Sequence, residues 1–197
     1  MRKQLLTLGI ASIMSFAFMA GPVHAKKILL KVPVWFPTSL PALGTSPAWV
    51  AKHINAIGGD LKMKTYEPKK LVPPKEMLEA VSKGQVNAGY TTPGYNMGKL
   101  GEKGAIFSAV PFGPDAPEFL AWVYYGNGRK LWQKTYDDAG FNVQSVPCGI
   151  IAPETSGWFK KEIKSAADLK GLRMRFFGLG ARVMEKLGVS TSQLPGG

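Results

Sequence analysis

The chain has 197 residues, 45% of them hydrophobic, with 25 Lys and Arg against 13 Asp and Glu and a formal charge of +12 at pH 7. That length supports one domain with a proper core, or one domain and part of another, and the charge suits an anionic ligand, an anionic surface or nucleic acid. The basic residues are scattered, never more than two in a row, with no zinc pattern or ribonucleoprotein-like aromatic motif, which excludes nucleic acid as a partner.

Residues 1–25 read as a cleavable signal peptide. Arg2 and Lys3 form a positive start, residues 5–20 are apolar and uncharged, Gly21-Pro22 breaks the helix, and Val23-His24-Ala25 puts small residues where a signal peptidase cuts. An uncleaved anchor is the alternative, but the run is shorter than the roughly 20 residues that span a bilayer and is followed at once by Lys26-Lys27. The expected location of the mature chain is therefore the periplasm.

Beyond the signal, strand-like and helix-like segments alternate, which predicts an α/β fold. Residues 28–34 are rich in branched side chains and predict a buried strand. Residues 36–41 form a loop. Ser46-Pro47 then opens a helix, Ser46 as cap and Pro47 at the first position, with Val50, Ile54 and Ile57 on one face and Gly58-Gly59 as the stop. Residues 61–66 alternate as a half-buried strand. Pro73-Pro74 starts a helix over 75–83 that Gly84 ends; a short strand follows at 86–90, then a loop at 91–96.

A further strand is expected at 105–110, and helices at 117–125 and 129–139, with Gly140 as the final stop. Residues 143–152 form a long apolar run suited to a strand that leaves one domain and enters another. A short helix at 166–169, a strand at 172–177 and a helix at 178–187 ended by Gly188 complete the pattern.

Few residues offer chemistry. No nucleophile elbow, zinc-protease helix or phosphate-binding glycine loop occurs. His53 is the one histidine left after Ala25, and its helical position predicts a solvated surface residue. Cys148 is the one cysteine, so no internal disulfide forms, and its apolar run predicts a buried, inert thiol. Gly178-Leu179-Gly180 follows a strand and opens a helix, but Val183 replaces the third glycine of a dinucleotide fingerprint. Arg173 and Arg175 share one face of their strand. At the end of such a strand a guanidinium can hold a carboxylate through two parallel charge-assisted bonds; two solvated basic residues on an edge strand fit the pattern as well.

Several stretches together resemble a known family. These are Glu154-Thr155-Ser156-Gly157-Trp158-Phe159-Lys160-Lys161-Glu162-Ile163 and Ala167-Asp168-Leu169-Lys170-Gly171-Leu172-Arg173-Met174-Arg175, preceded by Leu71-Val72-Pro73-Pro74 and Gly84-Gln85-Val86-Asn87-Ala88-Gly89-Tyr90. Val183-Met184-Glu185-Lys186-Leu187-Gly188 and Leu194-Pro195-Gly196-Gly197 follow in order. The whole resembles the DctP-type extracytoplasmic solute receptors of TRAP transporters, nearest the branch that binds 2-oxo acids and related monocarboxylates.

That resemblance implies a type II periplasmic binding fold of two lobes with a hinge, and a small organic carboxylate trapped between them for delivery to the membrane permease. It implies residues 26–148 as the first lobe and 149–197 as the start of a second lobe, incomplete because family members are much longer. It implies Arg175 as the carboxylate anchor, and Phe36, Tyr90 and Tyr95 as lining of the cleft. Glu154 stands where the oxo-acid branch has a glutamine that helps bind a cation, sodium or calcium, so it is implied both as a ligand contact and as a metal contact. The pattern carries no signal for an oligomeric state. An exported enzyme on a similar two-lobed scaffold is the rival function, and a bare interaction module the second.

Overall fold

The computed structural model describes residues 27–153 and 155–194; the expected signal peptide and Glu154 lie outside the described residues. Strand β1 (Ile28–Pro33) runs parallel to β2 (Leu61–Tyr66), Ile28 opposite Leu61 and Pro33 opposite Tyr66. Helix α1 (Thr45–Ile57) connects them, as a parallel pair requires. Only the second half of β1 is buried, because Ile28 and Leu29 stay exposed while Val32 and Val34 do not. The core therefore sits at the C-terminal end of the strand, with Ala51 and Met63 against Val32. Burying Val32 or Met63 contributes about 1.5–3 kcal/mol each.

Two details of α1 differ from the sequence expectation. The helix starts at Thr45, and Ser46 does not cap it; its hydroxyl donates back to the Ala42 carbonyl at 2.7 Å. Gly44 makes that entry possible, since a Cβ there would run into the Pro37 carbonyl. The packing stripe is Pro47, Val50, Ala51 and Ile54, and it stops a turn early, leaving Ile57 85% exposed.

A 3-10 turn (Pro74–Glu76) leads into α2 (Met77–Ser82). The expected strand at 86–90 contracts to one bridge, Val34 with Tyr90. The Asn87 side chain, rather than a ladder, accepts the Lys31 backbone N–H at 3.0 Å. A second 3-10 turn (Pro93–Asn96) runs into the short α3 (Met97–Leu100).

The strand expected at 105–110 is instead a 3-10 helix (Glu102–Phe107). Its cause is Phe107, drawn between the indoles of Trp122 and Trp132 with centroids 5.5 and 5.7 Å away and nearly parallel planes. Helices α4 (Ala116–Tyr125) and α5 (Gly128–Asp138) follow as expected. Leu78, Leu100 and Tyr136 form a second core between α2, α3 and α5.

Residues 143–152 belong to no strand or helix. Gln133 on α5 grips their start, donating to the Val143 carbonyl at 2.7 Å and accepting from the Ser145 N–H at 2.9 Å. Strand β3 (Arg173–Arg175) pairs in parallel with β4 (Ser190–Ser192), a strand the sequence pattern does not announce, across helix α6 (Gly178–Lys186). Leu169, Phe176, Ala181, Met184 and Val189 form the core of this unit.

Candidate ligand-binding site

The alternation of β3 places Met174 and Phe176 toward that third core and Arg173 and Arg175 away from it. Arg173 is exposed, whereas Arg175 is half-buried. The Arg175 guanidinium donates from Nη2 to the Tyr95 hydroxyl at 3.0 Å and from Nε to the Leu194 carbonyl at 3.3 Å. It also lies over two rings, 5.2 Å from the Phe177 centroid and 5.7 Å from that of Tyr95. Among the described residues no carboxylate pairs with it. A guanidinium packed on aromatic faces, half out of water and without an anion, attracts one strongly.

Tyr95 is the hub of an aromatic cluster. Its ring meets Phe177 edge-on at 4.5 Å, Trp35 at 5.0 Å and Phe36 at 5.8 Å. Ser108 stiffens the turn that carries it, accepting from the Gly94 N–H at 2.6 Å and bonding the Thr92 hydroxyl at 2.8 Å. Gly94 is required there, because Ser108 leaves no room for a Cβ. Gln193, just past β4, donates to the Tyr95 carbonyl at 3.0 Å.

The sequence-predicted residues thus divide into two groups. Arg175 and Tyr95 touch, and Phe36, buried, adjoins Tyr95. Tyr90 meets the other side of Phe36 at 6.5 Å and faces a cavity of about 720 Å³. That cavity is walled by Val32, Phe36, Met63, Pro47 and residues 146–151, and neither Arg175 nor Tyr95 lines it. Cys148 stands on its wall and is exposed, contrary to the buried thiol expected; the run that holds it has no strand partner to cover it. Partial desolvation still pushes its thiol pKa up, which disfavours the nucleophilic thiolate. Burial likewise pushes the Tyr90 phenol up.

His53 is exposed, as expected, with its ring stacked on Trp49 at 3.7 Å and Nδ1 2.8 Å from the Trp49 carbonyl. The second glycine of Gly178-Leu179-Gly180 has a packing reason, since a Cβ at Gly180 would occupy the place of the Phe176 ring. Sequence reasoning missed Gln193, which no local pattern marks, and Phe177, which the alternation 173, 175, 177 does mark as a neighbour of Arg175.

Comparison with known proteins gives this arrangement a context. Residues 41–197 match the model of the DctP family, bacterial extracellular solute-binding protein family 7. A monocarboxylate 2-oxoacid-binding periplasmic protein of Nostoc is 44% identical over 149 residues, 75% of this chain and 40% of that protein. A TRAP transporter solute-binding protein of Bordetella bronchiseptica, solved with copurified calcium and picolinate, superposes with a TM-score of 0.80 at 30% identity, over 87% of this chain and 50% of that one. One from Pseudoalteromonas atlantica, solved with sodium and pyruvate, gives 0.76 at 33% identity over 86% and 51%. The chain spans about half the length of these solved relatives. It belongs to the DctP family of bacterial extracellular solute-binding proteins.

Proposed function

We propose that this chain is part of an extracytoplasmic receptor of a TRAP transporter that captures a small organic carboxylate, a 2-oxo acid or related monocarboxylate, for the membrane permease. Residues 1–25 export it to the periplasm, residues 26–148 form the first lobe, and residues 149–197 begin the second. The observation that carries the proposal is Arg175, a half-buried guanidinium on two aromatic faces with no carboxylate partner among the described residues. The ligands of the relatives support the acid class: pyruvate in the Pseudoalteromonas protein, picolinate in that of Bordetella.

In this function Arg175 anchors the carboxylate through its fork, Tyr95 and Leu194 hold the guanidinium in place, and Phe36 and Phe177 keep water from it. Tyr90 lines the cleft on the far side of Phe36. Binding and lobe closure complete the mechanism, with no bond chemistry. Support for a receptor over an exported enzyme comes from the reactive groups: desolvation disfavours the Cys148 thiolate, and His53 is stacked on Trp49.

A cation accompanies the ligand in both relatives, calcium in one and sodium in the other. Among the described residues no three His, Cys, Asp or Glu side chains gather. Calcium takes roughly six to eight oxygens, with backbone carbonyls and waters among them, so a carboxylate of this chain would supply only part of its shell. Glu154 is the proposed cation contact.

Calorimetry with pyruvate tests the proposal. Arg175→Ala removes two charge-assisted bonds of about 1.5–3 kcal/mol each, so affinity should fall at least about a hundredfold. Unchanged affinity removes Arg175 from the site.

A further inference from the structure

We propose that Tyr95 sets the specificity of this site by offering its O–H to an acceptor atom on the carbon beside the ligand carboxylate, with Gln193 as the residue that positions it. The inference rests on the receptor function above and adds what that function leaves open, namely how one small acid is told from another.

The argument begins with proton inventory. A guanidinium has donors only, so at the 3.0 Å contact with Arg175 the Tyr95 oxygen is the acceptor. Its single proton then points away from Arg175. No described residue accepts that proton, although the ring is packed on three sides by Trp35, Phe36 and Phe177. Among the described residues, then, a half-buried donor with no protein acceptor stands within one hydrogen bond of the group that anchors the carboxylate. A carboxylate docked on the fork brings its neighbouring carbon toward the phenol. An acid with an oxo or hydroxyl oxygen on that carbon gives the donor an acceptor; a plain acid offers it none.

The donor is also held fixed. Gln193 grips the Tyr95 carbonyl at 3.0 Å, the Tyr95 N–H donates to the Thr92 carbonyl at 3.2 Å, and Ser108 locks the turn below. Gln193 lies 98 residues from Tyr95 in sequence, and Arg175 lies 80. Both ends of this one tyrosine, carbonyl and hydroxyl, are thus held from the β3–β4 unit, and loss of either grip lets the hydroxyl wander. Such positioning is what turns a hydrogen bond into discrimination.

The test is a pair of calorimetric titrations, pyruvate against propionate, on the full chain, in sodium, in calcium and after chelation. The unmodified protein should prefer pyruvate roughly tenfold, the value of one neutral hydrogen bond. Tyr95→Phe keeps the ring and its packing, so it should fold with an unchanged circular dichroism spectrum, and the ratio should collapse toward one. Gln193→Ala should lower the ratio part of the way, whereas a merely structural defect would weaken both acids alike. A ratio that survives Tyr95→Phe overturns the inference, as does equal affinity in the unmodified protein. So does a ratio that vanishes on chelation and ignores Tyr95→Phe, since the cation would then be reading the acceptor. No affinity for either acid, under any of the three conditions, overturns the receptor function itself and the inference with it.

Discussion

Two regions of the molecule treat an apolar sequence in opposite ways. Residues 172–177 contain two arginines, yet their middle forms β3 (Arg173–Arg175) and carries the candidate site. Residues 146–151 hold Val146, Ile150 and Ile151 and form no strand. The difference is the neighbour. β4 returns beside β3 after a single helix, so Arg173 pairs with Ser190 and Arg175 with Ser192, and Phe176 donates to the Ser192 carbonyl at 3.1 Å. Residues 146–151 face the Tyr90 edge across a cavity of about 720 Å³, with no ladder among the described residues. Strand propensity expresses fit to a pleated neighbour more than a preference of the chain itself. The site stands where the neighbour exists.

Equal insults to the two regions should therefore cost different amounts. Phe176 is buried against Leu169, Ala181, Met184 and Val189. Phe176→Ala should remove about 3–5 kcal/mol of stability in a denaturant titration, whereas Ile151→Ala, on the cavity wall, should remove about 1 kcal/mol or less. Similar losses at both positions would break the comparison. Next in size is Gly180→Ala. Alanine gains about 1 kcal/mol of helix propensity over glycine, but here its methyl would meet the Phe176 ring in a packed core. Overpacking costs about 1–3 kcal/mol, so a net loss of up to roughly 2 kcal/mol is expected. A stabilised variant would show that the third core is looser than its packing indicates.

Much of this was legible in the sequence, for physical reasons that differ by element. Helices α1, α4, α5 and α6 and strands β1 and β2 follow from periodicity and from glycine and proline punctuation, which are local. Arg175 was legible because alternation fixes its face. Its contact with Tyr95 spans the chain, and only family resemblance put the two in one cleft. Ser46 reads as a cap by residue type, but the turn at 40–44 brings the Ala42 carbonyl to its hydroxyl first. Residues 105–110 read as a strand by composition, and stacking of Phe107 between two indoles overrode it. β4 and Gln193 were invisible because Ser190-Thr191-Ser192 has no apolar signature; its pairing is decided by β3. The cavity was invisible too, since an apolar run does not reveal whether a partner lies beside it.

The smallest expected effect concerns how β3 is approached from its N-terminal side. Asp168 closes a capping box, accepting on Oδ2 from the backbone N–H groups of Ser165 at 2.8 Å and Lys164 at 3.0 Å. These bonds hold its pKa below the ordinary aspartate value, with the Ser165 N–H the largest cause. A depressed carboxyl contributes stability that is complete above the unfolded value, near about 3.9, and is lost as pH falls through the lower folded value. Asp168→Asn has no such proton to bind. The stability difference between the two proteins should hold steady from neutral pH down to the ordinary aspartate range and then narrow on further acidification. Denaturant midpoints measured across that interval check it, and a gap that stays constant would mean that the box is not formed in solution. The group is at the surface, so the effect should be small beside that of Phe176. That ordering is itself the point of the comparison: the neighbour strand and the core beneath it fix β3, and the turn before it only trims the entry.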